Sequence, residues 1–239
     1  MLAQRTQELR RSRPGLLPLL PLLLAVLAPA AHAAPLAAPA SSAPASPFPG
    51  LVDATAFDAE LRVELTYATT KNFMKRNVYG SLRRCYLQPE AARLLATASR
   101  ELRRLRPDLR LLVHDCARPL RVQRLMWKLV VGTPSQPYVA DPRRGSMHNL
   151  GAAVDLTLAG RDGKPLDLGG AFDLSGPTAE PGLELARRKA GTLSAEQWAN
   201  RLLLRLVMVK AGFIPLVNEW WHFDSATVPE TRKRYRLIP

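Results

Sequence analysis

The sequence predicts an α+β fold, a single domain in which a central antiparallel or mixed sheet is flanked by helices. Three observations lead to this prediction. At 239 residues the chain has room for one substantial domain. Segments with helical spacing of apolar residues occur beside short apolar segments that alternate as strands do. No internal repeat is present, and the mixture of helices with adjacent antiparallel-type strands favours this fold over a doubly wound sheet.

The first 50 residues differ from the rest of the chain. A positively charged flank extends from Arg5 to Arg13. It is followed by an apolar run from Leu16 to Leu27 that prolines interrupt, and then by a small-residue cleavage site, Ala31-His32-Ala33. Because the apolar run is too short to span a bilayer, we interpret residues 1–33 as a signal peptide and the protein as exported. Residues 34–50, rich in Ala, Pro and Ser, are predicted to be a flexible leader, and residues 51–239 the folded domain.

The chain is basic, with a formal net charge of +14. Loss of residues 1–33, which carry four Arg and one Glu, lowers this charge to +11. The remaining basic residues fall on helix faces or near the C-terminus, as do Arg93, Arg100, Arg103, Arg104 and Arg232-Lys233-Arg234. No basic motif is interleaved with aromatic residues, so the sequence predicts solvated faces attracted to an acidic envelope and no nucleic-acid partner.

The first helix is predicted over residues 88–105, where apolar residues recur at helical spacing: Leu94, Leu95, Ala98, Leu102 and Leu105. Pro107 ends it. Leu109 to Cys116 is typical of a buried strand, and helical periodicity resumes from Leu120 to Val131. Arg118 therefore lies at a strand-to-helix junction, where functional side chains are common.

The middle of the chain is predicted to be a loop followed by a strand. Residues 132–145 contain three prolines and no apolar period. From Ala152 to Leu158 the residues alternate, which places Val154, Leu156 and Leu158 on one face and Asp155 on the other. A turn is predicted over 160–163 and irregular structure over 166–173.

The last long helix is predicted to begin at a capping box of Ser194 and Gln197 and to end at Gly212. Its apolar face is predicted to consist of Trp198, Leu202, Leu206 and Val209. After Pro215, residues 217–224 are interpreted as a strand.

Cys85 and Cys116 are the only cysteines. In an oxidising compartment they could pair, but the sequence does not establish that their Cα atoms are close enough. Neither belongs to a Cys-x-x-Cys arrangement, so cysteine ligation of zinc is not expected.

Two motifs carry the chemistry: Ser146-Met-His148-Asn-Leu-Gly151-Ala-Ala153-Val-Asp155 and Glu219-Trp-Trp-His222-Phe-Asp224. Two His and one Asp form the ligand set of a hydrolytic zinc centre, with a fourth position open for water. Glu219, three residues before His222, could be the general base for that water. An isolated His more often packs or forms hydrogen bonds, and His114 is predicted to be a strand residue near the site.

Three further segments accompany these motifs: Tyr67-Ala-Thr-Thr-Lys-Asn72-Phe73, Cys85-Tyr86-Leu87 and Asp115-Cys-Ala-Arg118-Pro119. Together the five segments resemble the zinc D,D-peptidases of the D-alanyl-D-alanine dipeptidase and carboxypeptidase superfamily, and in particular its dipeptidase branch, the VanX-like enzymes. The resemblance covers roughly residues 50 to 230, with the motifs in the same order.

The resemblance implies one Zn²⁺ per chain, held by His148, Asp155 and His222. It implies that Glu219 is the catalytic base and that Arg118 steadies the oxyanion of the tetrahedral intermediate. A guanidinium remains charged and donates in a fixed fork, which suits this role. The alternative for Arg118 is a surface or structural salt bridge.

The resemblance also implies substrate contacts for Ser146, Tyr67 and Asp173. Ordinary turn capping by Ser146 and solvation of Asp173 in a loop remain alternatives. Trp220 and Trp221 could shape the pocket, although core packing of at least one is the simpler account.

One position departs from the family pattern. An aromatic residue often precedes the arginine of the third segment, whereas this chain has Ala117. We expect the smaller residue to enlarge or reshape the pocket and to leave the hydrolytic chemistry in place.

The implied activity is zinc-dependent hydrolysis of D-alanyl-D-alanine to two D-alanine in the bacterial periplasm, linked to turnover of cell-wall peptides. The partner is then a small D,D-dipeptide, with no membrane anchor once the signal is cleaved; the sequence does not predict an oligomeric state. Two alternatives remain. One is a D,D-carboxypeptidase that trims longer peptidoglycan peptides, and the other is a non-catalytic, zinc-stabilised cell-wall binding module.

Overall fold

The computed structural model describes residues 46–239, and its centre is a mixed sheet of five strands. The strands of the described chain are β1 Val52–Asp53, β2 Arg62–Val63, β3 Tyr86–Leu87, β4 Leu109–Asp115, β5 Ala153–Gly160, β6 Ile214–Pro215 and β7 His222–Asp224. The helices are α1 Pro89–Leu105, α2 Leu120–Val130, α3 Glu184–Lys189, α4 Ala195–Ala211 and α5 Val228–Arg234.

The central sheet has the order β2-β4-β5-β7-β6, while β1 and β3 form a separate antiparallel pair. Only β2 and β4 run parallel; the other neighbours in the central sheet are antiparallel. Helices and strands are interspersed along the chain around a mixed, largely antiparallel sheet. The predicted α+β fold is confirmed.

Strand β5 separates the core from the site. Val154, Leu156 and Leu158 are fully buried in the main core, which also includes residues from α1 and α4. On the opposite face, Asp155 pairs with Asp115 of β4 on one side and with His222 of β7 on the other. The predicted alternation is confirmed, and the register brings three polar side chains into one row across the sheet.

The prediction of a strand over residues 217–224 is wrong in its first part. Strand β7 begins at His222, and Glu219 precedes it in a turn whose backbone hydrogen bond joins the His222 N–H to the Glu219 carbonyl at 3.4 Å. Trp220 and Trp221 are both buried, and the Trp220 N–H donates to the Ala179 carbonyl instead of to a strand. Two consecutive buried side chains break the alternation that a strand in this sheet requires.

Helix α4 begins at the predicted capping box and ends at Gly212, whose φ of 107° suits a residue without a Cβ. Its predicted apolar face is wrong. Trp198 is half-buried, and Leu202, Leu206 and Val209 are exposed, whereas the buried side consists of Asn200, Arg201, Leu204, Val207, Met208 and Ala211.

The reason is a buried arginine. Arg201 is 1% exposed, and its guanidinium donates to the carbonyls of Leu168 and Thr178. It also forms a salt bridge with Glu184 at 3.4 Å. Because these partners satisfy the charged group, the side of the helix that carries it can be buried. The spacing of the apolar residues alone would predict that the opposite side of helix α4 is buried.

The other predicted elements are confirmed to within two residues: α1, α2, β4 and the turn at residues 160–163. Two short helices were not predicted, α3 and α5. Helix α5 includes the basic stretch near the C-terminus and begins at a capping box of Thr227 and Glu230. The predicted signal peptide and residues 34–45 of the predicted leader lie outside the described residues. Within residues 46–239, no helix is long and apolar enough to cross a membrane.

Cys85 and Cys116 form a disulfide between the segment before β3 and the end of β4, with Cα atoms 5.3 Å apart. The loop that it closes has a sequence separation of 31 residues. We expect the double substitution Cys85→Ser and Cys116→Ser to lower the free energy of unfolding by about 3–4 kcal/mol, because the unfolded chain regains the entropy of that loop. Urea denaturation of both proteins under oxidising conditions measures the difference, and a loss below about 1 kcal/mol contradicts the expected effect.

Candidate metal centre and active site

Three buried side chains direct one donor atom each toward a common point. The His148 Nε2 lies 3.2 Å from Asp155 Oδ1 and 3.1 Å from His222 Nδ1, and the last two atoms are 2.9 Å apart. Ligands about 2.0–2.2 Å from a tetrahedral Zn²⁺ lie about 3.3–3.6 Å from one another. The three donors are therefore spaced closely enough to share one metal ion after a small adjustment.

The hydrogen bonds behind the two imidazoles fix which ring nitrogen carries a proton. His148 Nδ1 donates to the Cys116 carbonyl at 2.8 Å, and His222 Nε2 donates to Asp224 at 2.9 Å. In its neutral form, each ring would then present a lone pair to the carboxylate of Asp155. Three electron-pair donors facing one another in a buried site require a cation, and outer partners of this kind are usual for metal-bound histidines.

Electrostatics of the same groups agree with that requirement. Burial alone lowers the pKa of His222, but its bonds to Asp155 and Asp224 outweigh burial and hold the pKa well above its ordinary value. Burial alone raises the pKa of Asp155, but the charges and hydrogen bonds of His148 and His222 hold it well below its ordinary range. The carboxylate therefore stays ionised, and a bound metal ion takes the place of a proton.

The backbone around His148 is a tight turn. Residues His148–Leu150 form a 3₁₀ turn that ends at Gly151, which has a φ of 67°. A Cβ at Gly151 would lie 2.8 Å from the side chain of Leu51. The positive φ and the close approach explain why glycine stands between the first ligand and the strand that carries Asp155.

Glu219 lies beside the three donors. Its Oε2 is 3.8 Å from His222 Nδ1. Burial raises the pKa of Glu219 to about 7, although the charge on His222 partly opposes the effect. A carboxyl group with a pKa near neutrality can both accept and return a proton during a reaction at neutral pH.

Arg118 is buried beside the donors, and three of its five N–H groups are held by hydrogen bonds within the protein. Its Nε and Nη2 donate to Asp115 Oδ2 at 3.0 and 2.6 Å, and its Nη1 donates to Gln123 at 3.0 Å. Its Nη2 also lies 3.8 Å from Asp155 Oδ2, and its guanidinium lies over the Tyr67 ring at 5.2 Å. A guanidinium has five N–H donors, so two remain for a substrate. The salt bridge considered as an alternative role is present and is compatible with that use.

Asp115 was not recognised from the sequence as a site residue. It is fully buried, and its Oδ1 accepts from the Tyr79 hydroxyl at 2.5 Å and from the Cys116 N–H at 2.9 Å. With Oδ2 occupied by Arg118, both oxygens are used to fix the arginine. Its place three residues before Arg118 was the available signal, because a carboxylate at that spacing can reach back to the guanidinium.

Three other polar residues were missed: Gln123, Asn149 and Asp224. The Asn149 amide donates to the Arg118 carbonyl at 2.7 Å and is completely buried. Gln123 contacts the guanidinium itself, and Asp224 orients His222. Asn149 and Asp224 belong to the two quoted motifs, whereas Gln123 comes from a helix position with no sequence pattern of its own.

Tyr67 and Asp173 form a hydrogen-bonded pair in the cleft, next to Arg118, whose guanidinium lies over the Tyr67 ring. The Tyr67 hydroxyl donates to Asp173 Oδ1 at 2.5 Å. Asp173 adopts a φ of 63°, which is unusual for a residue other than glycine. Burial raises the pKa of Asp173 to about 6, and the Tyr67 hydrogen bond partly opposes this rise. The structure therefore brings Asp173 to the cleft, although the two residues are 106 positions apart.

Ser146 caps its own turn and also lines the cleft. Its N–H and its hydroxyl both donate to Asn149 Oδ1, at 2.7 and 3.0 Å. Its Oγ lies 3.5 Å from Gln123. The turn-capping alternative thus describes the contacts within the protein, and the oxygen can still accept a bond from a ligand.

The expectation that Ala117 reshapes the pocket is wrong. Ala117 is buried in a small cluster with Leu51, Tyr86 and Ile238 and does not line the cleft. It follows the end of β4 and points away from the row of polar side chains. The residue type at this position bears on packing near the C-terminus and not on the pocket.

Trp220 and Trp221 both belong to the main core, and Trp221 also lines the cleft. His114 stacks on Phe172 with ring centroids 4.5 Å apart and is outside the three-donor cluster. The cleft itself has a volume of about 860 Å³, and Arg118, Asp155, Asp173, Glu219 and His222 all line it.

A buried two-His, one-Asp donor set beside a carboxyl group that titrates near neutrality defines the class of a metal-dependent hydrolase. Sequence comparison specifies that class. The family described as "D-ala-D-ala dipeptidase" matches residues 49–236. The chain belongs to this family of metallopeptidases.

Individual relatives agree with the family match. A D-alanyl-D-alanine dipeptidase of Escherichia coli (strain K12) is 33% identical over 177 residues, which cover 73% of this chain and 83% of that protein. One from Synechocystis sp. is 30% identical over 51% of this chain and 61% of that protein. One from Enterococcus faecium is 34% identical over 37% of this chain and 40% of that protein.

Proposed function

We propose that this protein is a zinc-dependent dipeptidase that hydrolyses D-alanyl-D-alanine to two molecules of D-alanine. The observation that carries the proposal is the convergence of His148, Asp155 and His222 beside Glu219 in one cleft. Membership of the dipeptidase family supports the substrate. Two histidines and one carboxylate, with no thiolate, match the ligand set of catalytic zinc sites.

The residues divide the chemistry between them. A zinc ion held by the three donors supplies a Lewis acid that makes water more acidic. Glu219 accepts the proton of the attacking water and later delivers it to the leaving amine. The free N–H groups of Arg118 donate to the carbonyl oxygen as negative charge develops on it.

A second group of cleft residues, Asp173, Tyr67 and Ser146, binds the substrate. A dipeptide is a zwitterion, and its ammonium requires an anionic partner in a buried site. We assign this role to Asp173, which Tyr67 holds in place. Ser146 is placed to accept a hydrogen bond from the substrate on the side of the first ligand, His148, because its own hydrogen is donated to Asn149.

We expect Asp173→Asn to raise KM for D-alanyl-D-alanine roughly tenfold or more, because a charge-assisted hydrogen bond is lost, with a smaller change in kcat. In the parent protein, KM is expected to rise as the pH falls through about 6, where Asp173 becomes protonated and loses its charge. The variant lacks this rise. Steady-state kinetics between pH 5 and 8 measure both effects, with Asp162→Asn in an exposed turn as the matched control. If the KM of Asp173→Asn rises at low pH as the KM of the parent does, the assignment is contradicted.

The nearest alternative is a D,D-carboxypeptidase that acts on longer peptides. A dipeptidase that recognises a free ammonium must lose most of its activity when that amine is acylated. Comparison of D-alanyl-D-alanine with its N-acetyl derivative separates the two activities. Cleavage of the acetylated form alone would replace our proposal with the carboxypeptidase, and metal binding without hydrolysis of either form would favour the cell-wall binding module.

We further propose that the protein works outside the cytoplasm, in the bacterial periplasm, after removal of residues 1–33. The basic and apolar pattern of the N-terminus supports this proposal, and a disulfide between Cys85 and Cys116 suits an oxidising compartment. N-terminal sequencing of the protein from the periplasmic fraction tests it, with a start near residue 34 expected and an intact Met1 in the cytoplasmic fraction as the contrary result.

A further inference from the structure

The mouth of the cleft is apolar. Phe73, Leu129 and Leu174 all line the cleft and are 38%, 55% and 56% exposed. Leu125 lies one helical turn before Leu129 on the same side of α2 and is 41% exposed. These four residues, which we call the cleft rim, come from three separate segments of the chain. Large apolar side chains gathered at one exposed place mark an interaction surface more often than single ones do.

The cleft rim is flanked by positive charge. Exposed cations precede and follow its members in sequence: Lys71, Lys75, Arg76, Arg121, Arg124 and Lys128. Arg121 donates to the Val78 carbonyl at 3.1 Å, so helix α2 and the segment that carries Lys75 and Arg76 are neighbours. The same two regions share a buried cluster that contains Met74 and Met126.

No acidic residue offsets these cations within the two segments. Residues 65–89 and 116–140 contain neither Asp nor Glu. The nearest following carboxylate in sequence, Asp141, is held by Arg143. The surface of these two segments is therefore both apolar and basic. The third rim segment differs, because Leu174 follows Asp173, whose carboxylate lines the cleft.

We propose that the cleft rim docks reversibly on the surface of an anionic lipid bilayer, with the mouth of the cleft toward the membrane. Leu125, Leu129 and their neighbours would enter the boundary between headgroups and acyl chains, while Arg124 and Lys128 contact the phosphates. Exposed apolar residues beside basic residues are the pattern of interfacial segments. Charge complementarity selects an anionic surface, and the exposed leucines select a bilayer over a soluble polyanion.

Helix α4 provides a matched control surface. Leu202 and Leu206 are one turn apart and are 42% and 54% exposed, close to the values of Leu125 and Leu129. They do not line the cleft. Exposed leucines alone are thus present on both helices, and the proposal assigns membrane docking only to those of α2.

The test is co-sedimentation of the full-length protein with vesicles of phosphatidylcholine, with and without one quarter phosphatidylglycerol. Three variants are compared: Arg124→Gln with Lys128→Gln, Leu125→Ser with Leu129→Ser, and the control Leu202→Ser with Leu206→Ser. All carry the same N-terminus, so any contribution of residues 16–27 is equal among them. Thermal melting verifies that each variant is folded.

We expect the parent protein to bind the anionic vesicles at least about tenfold more strongly than the neutral ones, since each cation near such a surface contributes roughly a factor of five. The charge variant is expected to lose about tenfold or more of this binding, and the leucine variant at least about fivefold. The α4 control should remain within about twofold of the parent.

Equal binding of the parent to both kinds of vesicle would overturn the proposal, as would an equal loss in the α4 control. Binding to soluble polyphosphate that survives Leu125→Ser with Leu129→Ser, without binding to vesicles, would assign the surface to a polyanion instead. Concentration-dependent dimers that disappear in the same variant, again without vesicle binding, would assign the cleft rim to a second copy of the chain.

Discussion

Replacement of Glu219 by glutamine is expected to lower kcat for D-alanyl-D-alanine by roughly 10²–10⁴-fold, the usual contribution of a general acid–base group. Glutamine has nearly the same shape but cannot take up the proton that the attacking water releases. The carboxyl group lies 3.8 Å from His222 and is not one of the three clustered donors. Metal content should therefore stay at one ion per chain.

Glu196→Gln provides the matched control for this variant, because Glu196 is exposed in the first turn of α4. Its kcat should equal that of the parent. Kinetics and metal analysis on the same preparations check both expectations. A Glu219→Gln protein that keeps its metal and retains more than about one tenth of the parent kcat is incompatible with a role as the base.

Replacement of Arg118 by lysine is expected to lower kcat by about 10²–10³-fold, the loss typical of one oxyanion donor. Lysine keeps the positive charge that buried Asp115 requires, so the fold is retained. A single ammonium cannot reproduce the planar fork that bonds Asp115 and Gln123 and still leaves two N–H groups for the substrate. The loss should appear in kcat more than in KM, because the contact strengthens as the oxyanion forms.

Arg124→Lys is the control for this substitution, since Arg124 is exposed on the helix that follows. It should leave both kinetic constants unchanged. Thermal melting of Arg118→Lys verifies that the variant is folded. Full activity in a folded Arg118→Lys protein would show that Arg118 has only a structural role, through its salt bridge with Asp115.

The ligand cluster could be predicted from the sequence because its members lie in two short motifs whose local structure is simple. His148 precedes a glycine turn, and the alternation of β5 directs Asp155 away from the apolar face. The register between β5 and β7 brings the third ligand beside the second, since Asp155 pairs with His222 across the sheet. A period of two in the sequence thus decides which side chains share a face.

The residues that hold Arg118 in place were harder to predict. Asp115, Gln123 and Asn149 contact Arg118 through hydrogen bonds that depend on the exact end of β4 and the start of α2. A register shift between Val113 and Asp115 contributes to that arrangement. No periodicity in a sequence specifies such a shift.

Helix α4 shows a second limit of sequence patterns. Its apolar residues lie on both sides, and the side that is buried is the one with Arg201. The partners of that arginine are carbonyls of residues 168 and 178 and the carboxylate of Glu184, all distant in sequence. Tertiary contacts therefore determine which side of the helix is buried, and that side differs from the one that the hydrophobic pattern predicts.

The most direct test of the account is to follow D-alanine release from D-alanyl-D-alanine by the zinc-loaded protein, by the same protein after chelation, and after zinc is restored. We expect release that stops on chelation, returns with one equivalent of zinc, and is absent throughout in His222→Ala. No release by folded protein that holds one zinc per chain, or release that persists after the metal is removed, would contradict the central claim.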